Sequence, residues 1–178
     1  MIDSSFDEFV RGHLTALRRY AHALTGDAYA AEDLVQDTLV KMAGAWRRIH
    51  RDGNPAGYAT TVMFRTHVSA WRHRRRRPPP LSLTAEPPSG RDAYAAVDAR
   101  VVLRAALRTL PRLQRAVLVA TFLDDRSDDE IAALLGRSPG SVRSLRLRGL
   151  RRLRAALGDD VSSTGSEVGR AGTGIATA

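Results

Sequence analysis

Two acidic side chains stand four residues apart at Asp33 and Asp37, with Gln36 between them. Carboxylates at that spacing share one side of a helix and could hold a cation or exchange protons with a substrate. Such chemistry needs a third ligand or a surrounding motif, and the sequence offers neither. Plain solvent exposure or a protein-binding face are the remaining readings. His13, His22, His50, His67 and His73 show no metal-ligand spacing. A glycine-rich phosphate loop and a nucleophile elbow are both missing. The residues therefore point away from an enzyme and imply no cofactor and no metal.

Arginine offers a different chemistry. Seven arginines and no acid lie between Arg137 and Arg154. Helical spacing turns Arg143, Ser144, Leu147, Arg148, Arg151 and Arg154 to one side, and Val142, Leu145, Gly149, Leu150, Leu153 and Leu157 to the other. A helix fits the major groove of B-DNA, where arginine pairs with guanine or phosphate and an exposed leucine can meet a thymine methyl group. A solvated charged face usually mixes signs, and this one does not. A second cluster, Arg72-His73-Arg74-Arg75-Arg76-Arg77, follows Phe64, His67 and Trp71. Aromatic rings beside arginines can stack on unpaired bases while the guanidinium groups neutralise phosphates. Taken alone, a tryptophan is more often core than ligand.

The elements that must position these groups are helical throughout. Phe6, Phe9, Val10, Leu17, Tyr20, Ala21 and Leu24 recur at helical spacing and predict a first helix from Ser4 to Leu24. Gly26 ends it, and Asp27 can cap a second helix over Ala28 to Arg47. That helix should bury Ala31, Val35, Leu39, Met42 and Trp46, leaving Asp33, Gln36, Asp37 and Val40 opposite. Asn54-Pro55 opens a third helix that runs into the arginines and carries two apolar faces. In the second half, helices are predicted over Asp98 to Thr109 and Pro111 to Phe122. Ser127 followed by Glu130 is a capping box for a short helix, Asp128 to Leu135, which stops at Gly136. Ser138-Pro139 then opens a last helix to about Leu157. Helix, glycine turn, helix is the pattern of a helix-turn-helix.

Composition agrees. The chain has 178 residues, 43% hydrophobic but only 6% aromatic, so a core must rely on Leu, Val and Ala. The net charge of +9 favours a polyanionic partner, nucleic acid before an anionic membrane surface. Lys41 is the only lysine. A GC-rich genome accounts for that overall bias, so the places where arginines cluster carry the functional reading. The sequence has no cysteine, in keeping with a cytoplasmic protein. No apolar run approaches the roughly 20 residues of a membrane span, and Met1-Ile2-Asp3-Ser4 does not read as a signal peptide. The expected fold is all-α: two small helical domains at 1–77 and 92–157, a flexible proline-rich linker at 78–91, and a disordered tail at 158–178. The linker should leave the halves free to move independently.

Several of these stretches resemble a known family. Thr25-Gly26-Asp27 through Ala31-Glu32-Asp33-Leu34-Val35-Gln36-Asp37-Thr38-Leu39 is similar to region two of extracytoplasmic-function sigma factors, of the sigma-70 family. Leu110-Pro111-Arg112-Leu113-Gln114-Arg115-Ala116-Val117 and Asp129-Glu130-Ile131-Ala132-Ala133-Leu134-Leu135-Gly136, with Gly140-Ser141-Val142-Arg143-Ser144, resemble region four. The likeness extends from Phe6 to Leu157, is nearest the actinobacterial type, and fits a linker with no middle domain. It implies a transcription initiation factor for RNA polymerase. Asp33, Gln36, Asp37 and Val40 would dock on the β′ clamp helices of core polymerase. Thr61, Phe64, Arg65, Trp71, Arg72, Arg74 and Arg75 would meet the minus-ten element and its melted strand. Arg137, Ser141, Arg143, Ser144, Leu147, Arg148 and Arg151 would meet the minus-thirty-five element. The helix from Pro111 to Phe122 would lie near the β flap, and an anti-sigma factor is a possible further partner. Thr61 and Arg65 stand where relatives usually carry arginine and asparagine, and Leu145 and Leu147 are apolar where many are not. The resemblance therefore leaves the base preferences open. A free-standing helix-turn-helix regulator would explain residues 127–157 but neither the acidic face nor the aromatic-basic helix. An enzyme acting on nucleic acid would need a carboxylate or histidine cluster, and a membrane-surface protein would need less mixed helix faces.

Overall fold

The computed structural model describes residues 4–51, 53–76 and 99–167, apart from the side chains of 74–76 and 159–167. The described residues form seven helices and no strand: α1 (Ser4–Thr25), α2 (Ala28–Arg51), α3 (Pro55–Arg76), α4 (Ala99–Thr109), α5 (Arg112–Leu123), α6 (Asp128–Leu135) and α7 (Pro139–Glu167). The expected all-α class is the class observed. The expected linker, 78–91, lies outside the described residues, as does the tail beyond 167. Two helices run past their expected ends, α2 to Arg51 and α7 to Glu167. Neither extension contains proline, and buried Ile49 gives the last turn of α2 a packing reason to persist.

In the first half each helix end has its own chemistry. Gly26 takes φ of 71°, and its N–H bonds to the carbonyl of His22 at 2.9 Å. The Asp27 carboxylate accepts the Ala30 N–H at 2.8 Å, capping α2. Asn54 does the same for Gly57 at 2.9 Å, with Pro55 in the first turn of α3. Between the helices lie Leu24, Val35, Met42, Met63 and Phe64, all fully buried. Trp46 closes one end: its ring meets Phe6 at 5.0 Å and Phe9 at 5.2 Å, and its indole N–H donates to Ser5 Oγ at 2.8 Å. That bond removes the cost of burying an indole donor.

The second half is built on α5. Every residue from Gln114 to Ala120 is buried, so this helix is covered all round its circumference. On one side α7 comes so close that a Cβ on Gly149 would lie 3.2 Å from Leu118. Along another side α5 packs on α1, while α3 touches both α5 and α6. A single apolar cluster consequently joins Phe6, Leu24, Phe64 and Val68 to Val117, Val119, Ile131, Leu135 and Val142. The halves are docked in this structure, contrary to the expectation that they move independently. The cause is the apolar run Ala116-Val117-Leu118-Val119-Ala120: α4, α6 and α7 leave one side of it uncovered, and α1 covers that side.

The depth of Phe64 yields a direct prediction. Phe64→Ala should lower unfolding stability by about 3–5 kcal/mol, the usual effect of truncating a buried Phe. Urea denaturation would measure it, and a change below about 1 kcal/mol would show that this ring is not core.

Candidate nucleic-acid interface

The helix-turn-helix forms as its sequence prescribes. Ser127 Oγ accepts the Glu130 N–H at 3.2 Å, and Glu130 Oε2 accepts the Ser127 N–H at 2.8 Å, completing the capping box. The bonds from Ser127 hold the Glu130 carboxyl below the usual carboxylate range. Gly136 is left-handed, with φ of 57° and ψ of 46°. The next N–H, of Arg137, reaches back to Ala132 O at 3.0 Å, a Schellman closure that ends α6 and turns the chain. Ser138 then accepts the Ser141 N–H on its side chain at 3.3 Å and starts α7.

Through this turn α7 holds its faces as read from the sequence. Val142 and Gly149 are buried, with Leu145, Leu150 and Leu153 half-buried behind them. Arg137, Arg143, Ser144, Arg148 and Arg151 are exposed, Leu147 is 52% exposed, and Ser141 is half-buried. An acid that sequence reasoning passed over joins this surface. Asp128 accepts from Arg146 at 2.9 Å and lies 3.6 Å from Arg143 Nε. The sequence signal was its place one residue beyond the Ser127 cap, in the first turn of α6. Because the Arg143 side chain is 66% exposed, this pair orients it without holding it strongly.

The α3 residues divide. Arg65 and Arg72 are exposed, and Trp71 and Thr61 are half-buried. Phe64 is a correction: placed with the DNA-facing group by the sequence, it is fully buried, because α3 turns one apolar face to α1 and α2 and the ring belongs to that face. Of Arg74 and Arg75 only the helical backbone is described. Thr61 donates to Gly57 O at 2.8 Å and accepts from Arg126 Nη2 at 2.6 Å. Arg72 Nη2 donates to the carbonyl of Leu135 at the end of α6.

On α2 the acidic set stands clear of the core. Asp33, Gln36 and Asp37 are exposed, and Val40 is 73% exposed despite being apolar. Tyr29, 86% exposed, extends the same face by one turn. Sequence reasoning missed it, although its spacing of four from Asp33 was available as a signal. Among the described residues no group of three or more His, Cys, Asp or Glu could hold a metal ion, and no helix is long and apolar enough to cross a membrane.

Comparison with known proteins finds two family models that match this chain. Residues 9–77 match sigma-70 region 2, and residues 100–153 match sigma-70 region 4. The RNA polymerase sigma-E factor of Streptomyces coelicolor is 36% identical over 152 residues, spanning 85% of each chain. The ECF RNA polymerase sigma factor SigE of Mycolicibacterium smegmatis is 32% identical over 166 residues, covering 90% of this chain and 64% of that one. In structure the chain resembles the sigma factor RpoE of Bartonella quintana, solved in complex with the anti-sigma factor NepR. The TM-score is 0.61 at 26% identity, covering 87% of this chain and 98% of that one. The chain belongs to the sigma-70 family, as a sigma factor of the extracytoplasmic-function type.

The exposed arginines of α7 should not be equivalent. Arg143→Ala, in the second turn, should cost about 1–3 kcal/mol of discrimination at one base position. Arg151→Ala, farther along, should weaken binding evenly across sequences and lower the salt slope by about one. Gel-shift titrations on matched and mutated upstream elements at several salt concentrations separate the two. Equal, sequence-independent losses would show that α7 does not lie in the groove in this orientation.

Proposed function

We propose that the chain directs promoter-specific initiation by core RNA polymerase in the cytoplasm, with α7 on the minus-thirty-five element and α3 on the minus-ten element. One observation carries the proposal: a single chain presents an exposed acidic and apolar face on α2 and an arginine-rich outer face on the second helix of a helix-turn-helix. A repressor needs only the second. Asp33, Gln36, Asp37, Val40 and the added Tyr29 form the docking face for the β′ clamp helices. The apolar Val40 and Tyr29 would supply buried area there, and the carboxylates would supply register and partner choice. Because α5 is buried from Gln114 to Ala120, its two ends are left to approach the β flap: exposed Arg112 at the start, and Phe122 and Leu123, 58% and 60% exposed, at the far end. Arg65, Trp71, Arg72, Arg74 and Arg75 remain the candidates for the minus-ten strand, with Thr61 beside them and Phe64 withdrawn. The anti-sigma partner of the Bartonella relative makes such a partner a reasonable expectation here too. No step in this role requires the protein to make or break a covalent bond.

Run-off transcription from genomic fragments, with core polymerase alone and with the protein added, tests the role. New, discrete start sites are expected only with both. Asp33→Arg combined with Asp37→Arg should abolish core binding while the helical circular dichroism is unchanged, since reversed charge opposes docking more than truncation does. Undiminished pull-down of core enzyme by the folded double variant would remove this face from the interface.

A further inference from the structure

The carboxylate of Asp128, at the start of α6, faces two arginines of α7. Its Oδ2 accepts from Arg146 Nη2 at 2.9 Å and lies 3.6 Å from Arg143 Nε. The two arginines differ in their surroundings. Arg146 has its side chain 28% exposed, and its Nε is buried without a hydrogen-bond partner among the described residues. Arg143 extends outward with its side chain 66% exposed, while that of Asp128 is 16% exposed. Stability does not account for the pair of Asp128 with Arg146. A carboxylate in the first turn of α6 is already favoured by the helix dipole. An apolar side chain at position 146 would fill its place without leaving a buried N–H unmatched. What the pair does achieve is to fix a carboxylate beside the inner nitrogen of Arg143.

The identity of that nitrogen matters. A guanidinium can meet the O6 and N7 of guanine end-on, with its terminal nitrogens, or side-on, with Nε and one terminal nitrogen. A carboxylate beside Nε obstructs the side-on approach, because it would face the guanine oxygen across a shared donor. The end-on approach leaves both terminal nitrogens free. The same carboxylate competes with the DNA backbone. An arginine free to swing can settle on a phosphate, a contact that carries no sequence information. Arg143 would leave an anion behind if it did so. In water the pull on an exposed arginine is modest, but it strengthens as the helix enters a groove and water is displaced. On the reading given under Proposed function, we propose that Asp128 is a positioning residue for promoter recognition: anchored by Arg146, it presents Arg143 end-on to a guanine of the upstream element and holds it back from the phosphates. Asp128 makes no DNA contact in this role, and its charge opposes binding to every sequence. It trades affinity for discrimination.

The test measures base preference and affinity separately. The full chain, bound to core polymerase, selects from a pool of random-sequence duplexes, and sequencing the bound fraction gives the preference at each upstream position. The native chain should prefer guanine at one position, and Arg143→Ala should erase that preference. Asp128→Asn should lower the same preference by about fivefold to tenfold and leave the other positions unchanged. It should also raise affinity for mixed-sequence duplex by about twofold, as expected for removing one charge near the groove. Asp129→Asn removes an equal charge from the adjacent, exposed residue. It should raise affinity similarly and leave every preference unchanged. In the Arg143→Ala background, Asp128→Asn should alter no preference further. An unchanged guanine preference in Asp128→Asn overturns the proposal. So does a loss spread over all positions, which would mark a general loosening of the turn between α6 and α7. Equal losses in Asp128→Asn and Asp129→Asn would reduce the effect to net charge and overturn it too, as would an Arg143-dependent preference for a base other than guanine. A native chain that selects no upstream sequence would instead refute the minus-thirty-five role of α7 itself.

Discussion

A guanidinium taken out of water must be met by acceptors, and Arg115 is the place where this fold satisfies that demand. Its partners are not carboxylates but carbonyls at helix ends, groups that every helix leaves over: those of Leu24 and Thr25 closing α1 and, at 3.4 Å, those of Leu107 and Arg108 closing α4. The choice has structural consequences. It fixes the end of α1 against the start of α5, and it needs the close turn that Gly26 permits. It also brings Tyr20 beside Asp124 and Arg126, where burial and then the Asp124 charge push its phenol above the ordinary value. A single apolar cluster runs through both halves beside this contact.

The two functional faces are made by different physics. On α2 the acidic face exists because the opposite stripe, from Ala31 through Val35 and Met42 to Trp46, is needed by the core, so whatever falls between is exposed. On α7 the reading face is set by a turn: the Schellman closure after α6 and the Ser138 cap fix where the helix starts and therefore which residues point outward. The first face follows from periodicity alone. The second depends on a few hydrogen bonds at Ser127, Glu130, Gly136 and Ser138.

That difference explains what could be read beforehand. Capping residues act locally, so the starts of α2, α3, α6 and α7 were legible, as were the outward residues of α7. Phe64 was not, because α3 carries two apolar faces and periodicity cannot say that both are taken by the core, Met63 on one and Phe64 on the other. The docking of the halves was also hidden. A proline-rich stretch suggests separation, yet the uninterrupted Ala116–Ala120 run demanded more cover than its own half could give, and that demand was visible in the sequence. Contacts such as Asp128 with Arg146, and Arg126 with Thr61, join residues 18 and 65 positions apart, and no local pattern announces them.

The close approach at Gly149 separates two tasks along α7. Leu118 lies against the helix there, so its seat on α5 tolerates no side chain without displacement. Arg143, Ser144, Leu147 and Arg148, on the outside, contribute nothing to that seat. Inheritance can therefore treat the helix as a fixed mount with an interchangeable edge. After gene duplication, a few surface changes would give a copy a new set of target genes at little cost to folding, while the mount itself would drift hardly at all.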